Sequence, residues 1–395
     1  MIRISRAGAA SRGTAPAGDL PQNRKKGNKT VNRNELYLIY GQDIKEMTKK
    51  MLREGRVAEE IPQGARIGLK PNLVVAALAE TGATTHPEIC EAIIEYLQEA
   101  GHRDITILEG SWVGDRTKRA FELCGFNAIG KRYGVKVHDT KDDGFYTVKV
   151  NGMELKICNS YQQIDYLINL PVLKGHCQTQ VTCALKNMKG LIPDAEKRRF
   201  HAMGLHKPIA YLNKAIQPQL IVVDGICGDL DFEEGGNPVQ MNLMMMGKDP
   251  VLVDAYVAES MGFSPKEIAY IPLAEQLGVG SSDLSQAKIT EFDADKRQAV
   301  RRGTPGRKVR SLVQNVCEKE ACSACYGNLV RALARMSDNG TLRRIKDRKI
   351  HIGQGYKGVE EDGIGVGVCC KGFSCHVAGC PPRAVDIVAA LEELD

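Results

Sequence analysis

The sequence predicts an α/β protein with a mainly parallel sheet flanked by helices, a β-hairpin insertion and a small cysteine-rich α+β module at the C-terminal end. From Glu35 to Phe292, short β-branched runs alternate with amphipathic helical windows, which is typical of βα units. Within residues 146–158, Asn151 and Gly152 separate two alternating runs, and this pattern indicates a hairpin. Seven of the thirteen cysteines lie between Cys317 and Cys380, which marks a separate module.

Six strands are predicted in the α/β region from short apolar runs that end at polar or turn residues. They are Leu36–Tyr40, Arg66–Leu69, Asp104–Leu108, Val135–Val137, Tyr166–Leu170 and Leu220–Val223. The clearest helix is Pro87–Ala100, because its apolar residues recur on one face and Gly101 follows its end. Thr85 and Glu88 predict a capping box at its start.

The C-terminal module is expected to contain two helices and a strand. These are a helix near Asn328–Met336, a strand at Lys349–Gly353 and a helix at Ala384–Leu394. The whole chain therefore divides into a disordered basic tail (1–34), an α/β domain (35–292), a basic linker (293–311) and a cysteine-rich module (312–395).

Composition and charge exclude two classes of partner. Of the 395 residues 43% are hydrophobic, but no uncharged apolar run is long enough to cross a bilayer, so we expect no membrane partner. The formal charge of +6 comes from the tail: residues 1–33 carry eight basic residues and one acid, a net +7 that leaves about −1 elsewhere. Only 5% of the residues in the chain are aromatic, so nucleic acid is not an expected partner.

The N-terminal tail has no apolar segment of the secretory kind, so a cytoplasmic location is expected. A disordered extension is favoured for this tail, and an organellar transit peptide is left open. In a reducing compartment, clustered cysteines favour metal or redox chemistry over disulfides. A homo-oligomer is compatible with the sequence.

The cysteine spacing predicts an inorganic cofactor. We expect Cys322, Cys325, Cys369 and Cys380 to be the ligands, with Cys317 or Cys370 as substitutes for Cys369. A proline follows Cys380, and a Cys-Pro pair before a helix is typical of ferredoxin-like sites, which favours a 4Fe-4S cluster. A 2Fe-2S cluster and zinc stay open as alternatives.

Polar residues gather where the predicted strands end, and ligands of open parallel sheets bind at that edge. We expect a small anionic substrate or redox partner there, because several of these residues are lysines. The candidate catalytic residues are Lys174, His176 and His201. The candidate substrate-binding residues are Lys70, Asn72, Thr85, His86, Lys186, Asn187, Lys189, Asp224 and Asp254. Residues 233–238, Glu-Glu-Gly-Gly-Asn-Pro, predict a flexible loop that acts as a lid.

Six short motifs resemble the bacterial and archaeal proteins catalogued as domain of unknown function 362. They are Lys70-Pro-Asn72, Thr84-Thr-His-Pro87, Leu173-Lys-Gly-His176, Leu185-Lys-Asn-Met-Lys-Gly190, Val223-Asp-Gly225 and Asp249-Pro-x-x-x-Asp254, within about residues 60–320. The resemblance implies a protein of anaerobic metabolism with an iron–sulfur module, and no general reaction. The Thr-Thr-His-Pro turn also resembles the first domain of nickel-pincer lactate racemases, at the level of fold only.

Three functions are compatible with these residues. The favoured one is an iron–sulfur oxidoreductase that transfers electrons to a small anion at the sheet edge. The alternatives are a metal-dependent isomerase or lyase, in which histidines move protons, and a non-enzymatic electron carrier.

Overall fold

The computed structural model describes residues 30–235, 238–297 and 307–394. Most of the predicted basic tail and half of the predicted linker therefore lie outside the described residues. Within this part of the chain there are sixteen strands and thirteen α-helices. The strands are β1 (Glu35–Tyr40), β2 (Ile67–Pro71), β3 (Ile105–Glu109), β4 (Lys136–Asp139), β5 (Phe145–Val150), β6 (Met153–Cys158), β7 (Tyr166–Leu170), β8 (Lys174–His176), β9 (Gln180–Thr182), β10 (Leu220–Asp229), β11 (Pro238–Gly247), β12 (Lys288–Phe292), β13 (Val316–Glu318), β14 (Ile350–Ile352), β15 (Glu361–Val366) and β16 (Phe373–Val377). The helices are α1 (Ile44–Glu54), α2 (Val57–Glu60), α3 (Pro87–Glu99), α4 (Thr117–Leu123), α5 (Phe126–Tyr133), α6 (Ala184–Asn187), α7 (Asp194–Ala202), α8 (His206–Ala215), α9 (Pro250–Ser260), α10 (Tyr270–Gln276), α11 (Arg307–Leu312), α12 (Ser323–Asp338) and α13 (Ala384–Glu392).

An eight-stranded sheet forms the centre of the larger lobe, in the order β12-β1-β11-β10-β7-β2-β3-β4. Only β11 runs antiparallel to its neighbours, and the other pairs are parallel. Apolar cores cover both faces of this sheet. The predicted mainly parallel α/β fold is confirmed, and so are the six predicted strands, within a residue or two at most ends.

Helix α3 shows how the local sequence sets an element. Pro87 occupies its first turn, and Ile89, Ile93 and Leu97 are fully buried on one face. Burial of each such side chain contributes about 1.5–3 kcal/mol. The predicted capping box is wrong: the Thr85 hydroxyl instead donates to the Leu170 carbonyl, which ties the helix entry to β7.

The predicted hairpin is confirmed, because β5 pairs antiparallel with β6 around Asn151 and Gly152. The C-terminal module is built on a separate four-stranded parallel sheet, β13-β14-β15-β16. Helices α12 and α13 pack on this sheet through a third apolar core. The module therefore has its own core and joins the larger lobe along α12.

Candidate functional site

A cavity of about 310 Å³ lies between the larger lobe and helix α12 of the C-terminal module. Its floor is the carboxyl edge of the sheet, where Asn72 follows β2 and Glu109 ends β3. One face of α12, from Gly327 to Asp338, forms the opposite wall. Both lobes thus contribute to one cavity of the size that small ligands occupy.

One hydrogen-bonded group in the cavity is a bridge between Glu233, Lys186 and His176. Glu233 accepts from Lys186 Nζ at 2.7 Å through one carboxylate oxygen and lies 3.2 Å from His176 Nε2 through the other. His176 Nδ1 accepts backbone N–H groups from Gln178 and Thr179, so Nε2 carries the proton that faces Glu233. Burial, with the Lys186 charge nearby, lowers the pKa of His176 to about 4, and the ring is neutral at pH 7.

Glu233 remains ionised in this bridge. Burial alone would raise its pKa, but the Lys186 charge and the His176 contact hold the pKa well below the ordinary range. Burial also lowers the pKa of Lys186, and Glu233 opposes that effect. Glu233 and Lys186 therefore each favour the charged form of the other inside the protein.

A second pair, Lys189 and His201, lies on the same side of the cavity. Lys189 Nζ is 3.3 Å from His201 Nε2. Burial and then the charge of Lys186 lower the pKa of Lys189 to about 7, and burial and the Lys189 charge lower the pKa of His201 far below its usual value. At neutral pH Lys189 is close to half protonated and its histidine partner is a neutral acceptor, which suits proton transfer.

Beneath the cavity floor lies a buried polar network. Lys70 Nζ donates to Glu109 at 2.6 Å and to Asn187 Oδ1 at 3.1 Å. Lys174 Nζ donates to Asn72 Oδ1 at 3.0 Å, and burial lowers the pKa of Lys174 to about 8. Gly190 makes the close packing possible, since a Cβ there would lie 1.8 Å from a Glu109 oxygen.

The four remaining catalytic and binding candidates, Thr85, His86, Asp224 and Asp254, lie farther from the cavity and support its residues. His86 bonds to Asp224 through its backbone N–H at 2.7 Å and its Nδ1 at 2.8 Å. Thr85 accepts the Asn72 N–H. Asp254 is fully buried and accepts the N–H groups of Ala184 and Leu185, so it caps the helix that carries Lys186 and Asn187.

The predicted site residues therefore separate into two groups. Six line the cavity, and the other six lie behind it or beside it in the sheet edge. The lining residues are Asn72, His176, Lys186, Asn187, Lys189 and His201. The residues behind or beside it are Lys70, Thr85, His86, Lys174, Asp224 and Asp254. Their catalytic and binding roles stay predictions.

Sequence reasoning missed several cavity residues, among them Glu233, Arg331 and Trp112. Glu233 was assigned to a lid loop, two residues of which (236 and 237) lie outside the described structure. Arg331 of α12 pairs with the neighbouring Glu234 at 2.6 Å and so connects this loop to the C-terminal module. The adjacent acidic residues Glu233 and Glu234 were the signal in the sequence that could have indicated a role for this loop in the site.

Four thiols of the C-terminal module influence one another electrostatically. Burial, and then the nearby Cys369 and Cys380 side chains, raise the pKa of Cys322. Burial, then Cys322, Cys380 and Cys369, raise the pKa of Cys325 to about 12. Gly367 approaches Cys325 closely, because a Cβ on it would lie 3.7 Å from Cys325 Sγ. The four predicted ligands thus occupy one region at the start of α12.

The other cysteines of the module pack in apolar surroundings. Cys370 is buried with Tyr356 and Phe373, Cys317 packs against the same group, and Cys375 packs against the module core. Within the described ranges, no three Cys, His, Asp or Glu side chains stand where they could hold a metal ion. The choice of ligands and of cofactor stays a prediction.

A hydrogen-bonded side chain links the thiols to the larger lobe. Gln354 Nε2 donates to Cys322 Sγ at 3.5 Å and to the Ala202 carbonyl at 3.3 Å. Ala202 is the last residue of α7, which also carries His201. The thiol group and the cavity are therefore joined both by α12 and by this contact.

Comparison with known proteins gives a family resemblance for the larger lobe. Residues 67–259 match the family model described as Domain of unknown function (DUF362). A thylakoid-associated protein of Synechocystis sp. is 25% identical over 236 residues, which cover 57% of this chain and 72% of that protein. No helix in the described parts of the present chain is long and apolar enough to cross a membrane.

Among solved structures, the chain is similar to the lactate racemase apoprotein from Thermoanaerobacterium thermosaccharolyticum. The identity is 14%, the TM-score is 0.39, and the match covers 62% of this chain and 58% of that one. The chain thus spans less than two thirds of that structure. The predicted resemblance to domain of unknown function 362 is confirmed for residues 67–259, which carry the lysine and histidine side of the cavity.

Proposed function

We propose that the protein is an iron–sulfur oxidoreductase that acts on a small anion bound in the cavity between its two lobes. One observation carries this proposal. Cys322 immediately precedes helix α12, Cys325 lies in its first turn, and the helix face from Gly327 onwards lines the cavity. A redox centre at those thiols would therefore lie at one end of the wall against which the substrate binds.

The thiols fit an iron–sulfur cluster by their chemistry. Cys322, Cys325, Cys369 and Cys380 come from two chain segments, and each pair is joined by a short span. A 4Fe-4S cluster on them would supply one-electron transfer, with a potential that depends on hydrogen bonds to sulfur and on burial. Gln354 supplies one such hydrogen bond, to Cys322.

The cavity residues would bind the substrate and handle its protons. Lys186 and Lys189 present positive charge to an anion, and the deep position of Lys186 strengthens that attraction. Lys189 gives or takes a proton near neutral pH, with His201 as its neutral partner. Helix α12 forms the wall opposite these residues.

The test is iron and sulfide quantitation on anaerobically purified protein, with paramagnetic resonance before and after reduction. About four irons and four sulfides per chain are expected. Serine at Cys322, Cys325, Cys369 or Cys380 should remove the signal. The matched control is Cys158→Ser, a buried thiol of β6 in the other lobe, which should keep it.

Each alternative has its own outcome in this experiment. Zinc without sulfide would replace the redox proposal with a structural site. Retention of the cluster in Cys369→Ser and its loss in Cys317→Ser or Cys370→Ser would reassign one ligand. Protein without iron or sulfide after anaerobic reconstitution would overturn the proposal.

A second function is favoured by the Lys189–His201 pair, because a lysine with a pKa of about 7 beside a neutral histidine suits acid–base catalysis. An isomerase or lyase of this kind would turn over substrate without an electron donor. Activity in the absence of reductant and oxidant, retained in Cys322→Ser, would select it over the oxidoreductase.

A further inference from the structure

Glu233 occupies the position that an anionic ligand would be expected to take. Its two oxygens face Lys186 and His176, whose side chains are only 1% and 7% exposed, whereas the Glu233 side chain is 23% exposed. The two donors are therefore deep and the carboxylate lies on the open side. The carboxylate belongs to a connecting loop, while both donors belong to the floor of the site.

The two donors are held in place independently of Glu233. Lys186 Nζ also donates to Thr182 Oγ1 at 3.1 Å, and its helix is capped by Asp254. The His176 ring is oriented by two backbone N–H groups at Nδ1. Removal of Glu233 would thus leave a preorganised pair of donors spaced for a planar carboxylate.

The loop that carries Glu233 is tied to both lobes on either side of that residue. Its backbone N–H groups at Asp231 and Phe232 bond to Asp229 at the end of β10, and its next residue, Glu234, pairs with Arg331 of α12. These contacts hold the residues on either side of Glu233, and within the described residues the Glu233 carboxylate itself pairs with Lys186 and His176.

A second cavity lysine lies near the bridge. Lys189 Nζ contacts the neutral His201 ring at 3.3 Å, and no carboxylate of the described residues lies within ion-pairing distance of it. Lys186 and Lys189 are three residues apart and both line the cavity. A ligand carboxylate that replaced Glu233 would therefore lie near two lysines, since the Glu233 charge already acts on Lys189.

We propose that Glu233 is an internal stand-in for the substrate's carboxylate: a small carboxylate ligand displaces it and takes over Lys186 and His176. This inference rests on the proposed function, since it specifies the anion that the cavity binds. Glu233 then competes with the ligand for the subsite. The apparent affinity of the ligand is its intrinsic affinity multiplied by the fraction of molecules in which Glu233 has left the subsite.

The test uses malonate as the probe and the single tryptophan, Trp112, as the reporter, because Trp112 lines the cavity. Malonate is titrated into full-length protein while the Trp112 fluorescence is recorded. Glu233→Gln should tighten malonate binding about tenfold, because it removes the competing charge. Glu233→Asp, which keeps the charge but shortens its reach, should give a smaller gain, and Lys186→Gln should abolish binding.

The matched control is Glu60→Gln, because Glu60 is also partly buried and pairs with a lysine, Lys248, away from the cavity. It should leave malonate affinity unchanged. The same titration with sulfate tests the carboxylate specificity, and sulfate should bind more weakly. Unchanged or weaker malonate binding in both Glu233 variants, or sulfate binding as tight as malonate, would overturn the inference.

The two proposals fail separately. Iron and sulfide are measured on the same preparations, so protein without a cluster that still shows tighter malonate binding in Glu233→Gln would reject the redox function and keep the displacement. A cluster-containing protein in which Glu233→Gln binds malonate no better would reject the displacement and keep the redox function.

Discussion

Lys70→Met should destabilise the larger lobe strongly, because it breaks a buried ion pair. The Lys70 side chain is 0% exposed and the Glu109 side chain 4% exposed, with 2.6 Å between Nζ and Oε2. Lys70 uses all three ammonium protons, since it also donates to the Pro71 carbonyl at 2.9 Å and to Asn187 Oδ1 at 3.1 Å. Methionine fills a similar volume but leaves the Glu109 charge without its cation.

The expected loss in the free energy of unfolding is about 3–5 kcal/mol, the usual cost of one uncompensated buried charge. Glu109 retains backbone N–H donors from Leu73 and Gly110, which place the value toward the lower end. The double variant Lys70→Met/Glu109→Gln removes the unpaired charge. It should recover about 1–3 kcal/mol relative to Lys70→Met alone.

Urea unfolding followed by Trp112 fluorescence measures this loss. Trp112 lies just after β3, the strand that Glu109 ends, so its signal reports on the lobe that contains the pair. The midpoint should fall by on the order of 1–2 M urea in the single variant. A loss below about 1 kcal/mol, or a double variant no more stable than Lys70→Met, would refute the reasoning.

Three further perturbations follow from the site. Gly190→Ala should lower the free energy of unfolding by about 1–3 kcal/mol in the same assay, because its Cβ would meet a Glu109 oxygen at 1.8 Å. Asp254→Ala should cost roughly 2–5 kcal/mol and weaken malonate binding, because it strips two buried N–H groups, including that of Ala184, of their acceptor. Malonate affinity should fall several-fold as pH rises from 6 to 8, because Lys189, with a pKa of about 7, loses its proton over that range. The Lys189→Met variant should show a flatter pH profile.

Each of these expectations has a contrary outcome. Gly327→Ala is the control for Gly190, since its Cβ would meet only the Cys177 sulfur at 3.8 Å, and equal losses in both variants would contradict the packing argument. Full stability of Asp254→Ala would mean that its cap is dispensable. An affinity that rises with pH, or an unchanged profile in Lys189→Met, would remove the lysine from anion binding.

The large sheet was predictable because buried parallel strands appear in sequence as short apolar runs. Strand β11 was missed, since Pro238–Gly247 contains a run of methionines instead of β-branched residues and follows a glycine-rich segment. Its register depends on β1 and β10, which lie on either side of it in the sheet. The pairing with β10 joins consecutive strands, with Asp229 opposite Pro238, whereas the pairing with β1 joins segments far apart in the sequence and leaves no local signal.

The site was predictable as a set of strand ends but not as a cavity. The rule that ligands bind at the carboxyl edge identified Lys186, Lys189 and His176, and the structure places all three on the cavity wall. It could not separate buried supports such as Lys174 from residues that face the cavity, because burial depends on tertiary packing. The role of Glu233 could not be predicted from the sequence, because its partners Lys186 and His176 lie far away along the chain.

Helix α12 extends for 16 residues, about 24 Å, from the cysteines to the far end of the cavity. If the thiols hold a redox cluster, filling the cavity and changing the charge at the thiols would both act along this one helix. Thermodynamic linkage would then make the two effects equal: the factor by which reduction changes ligand affinity would also be the factor by which bound ligand changes the reduction equilibrium. Substrate supply and electron supply would be sensed through the same helix.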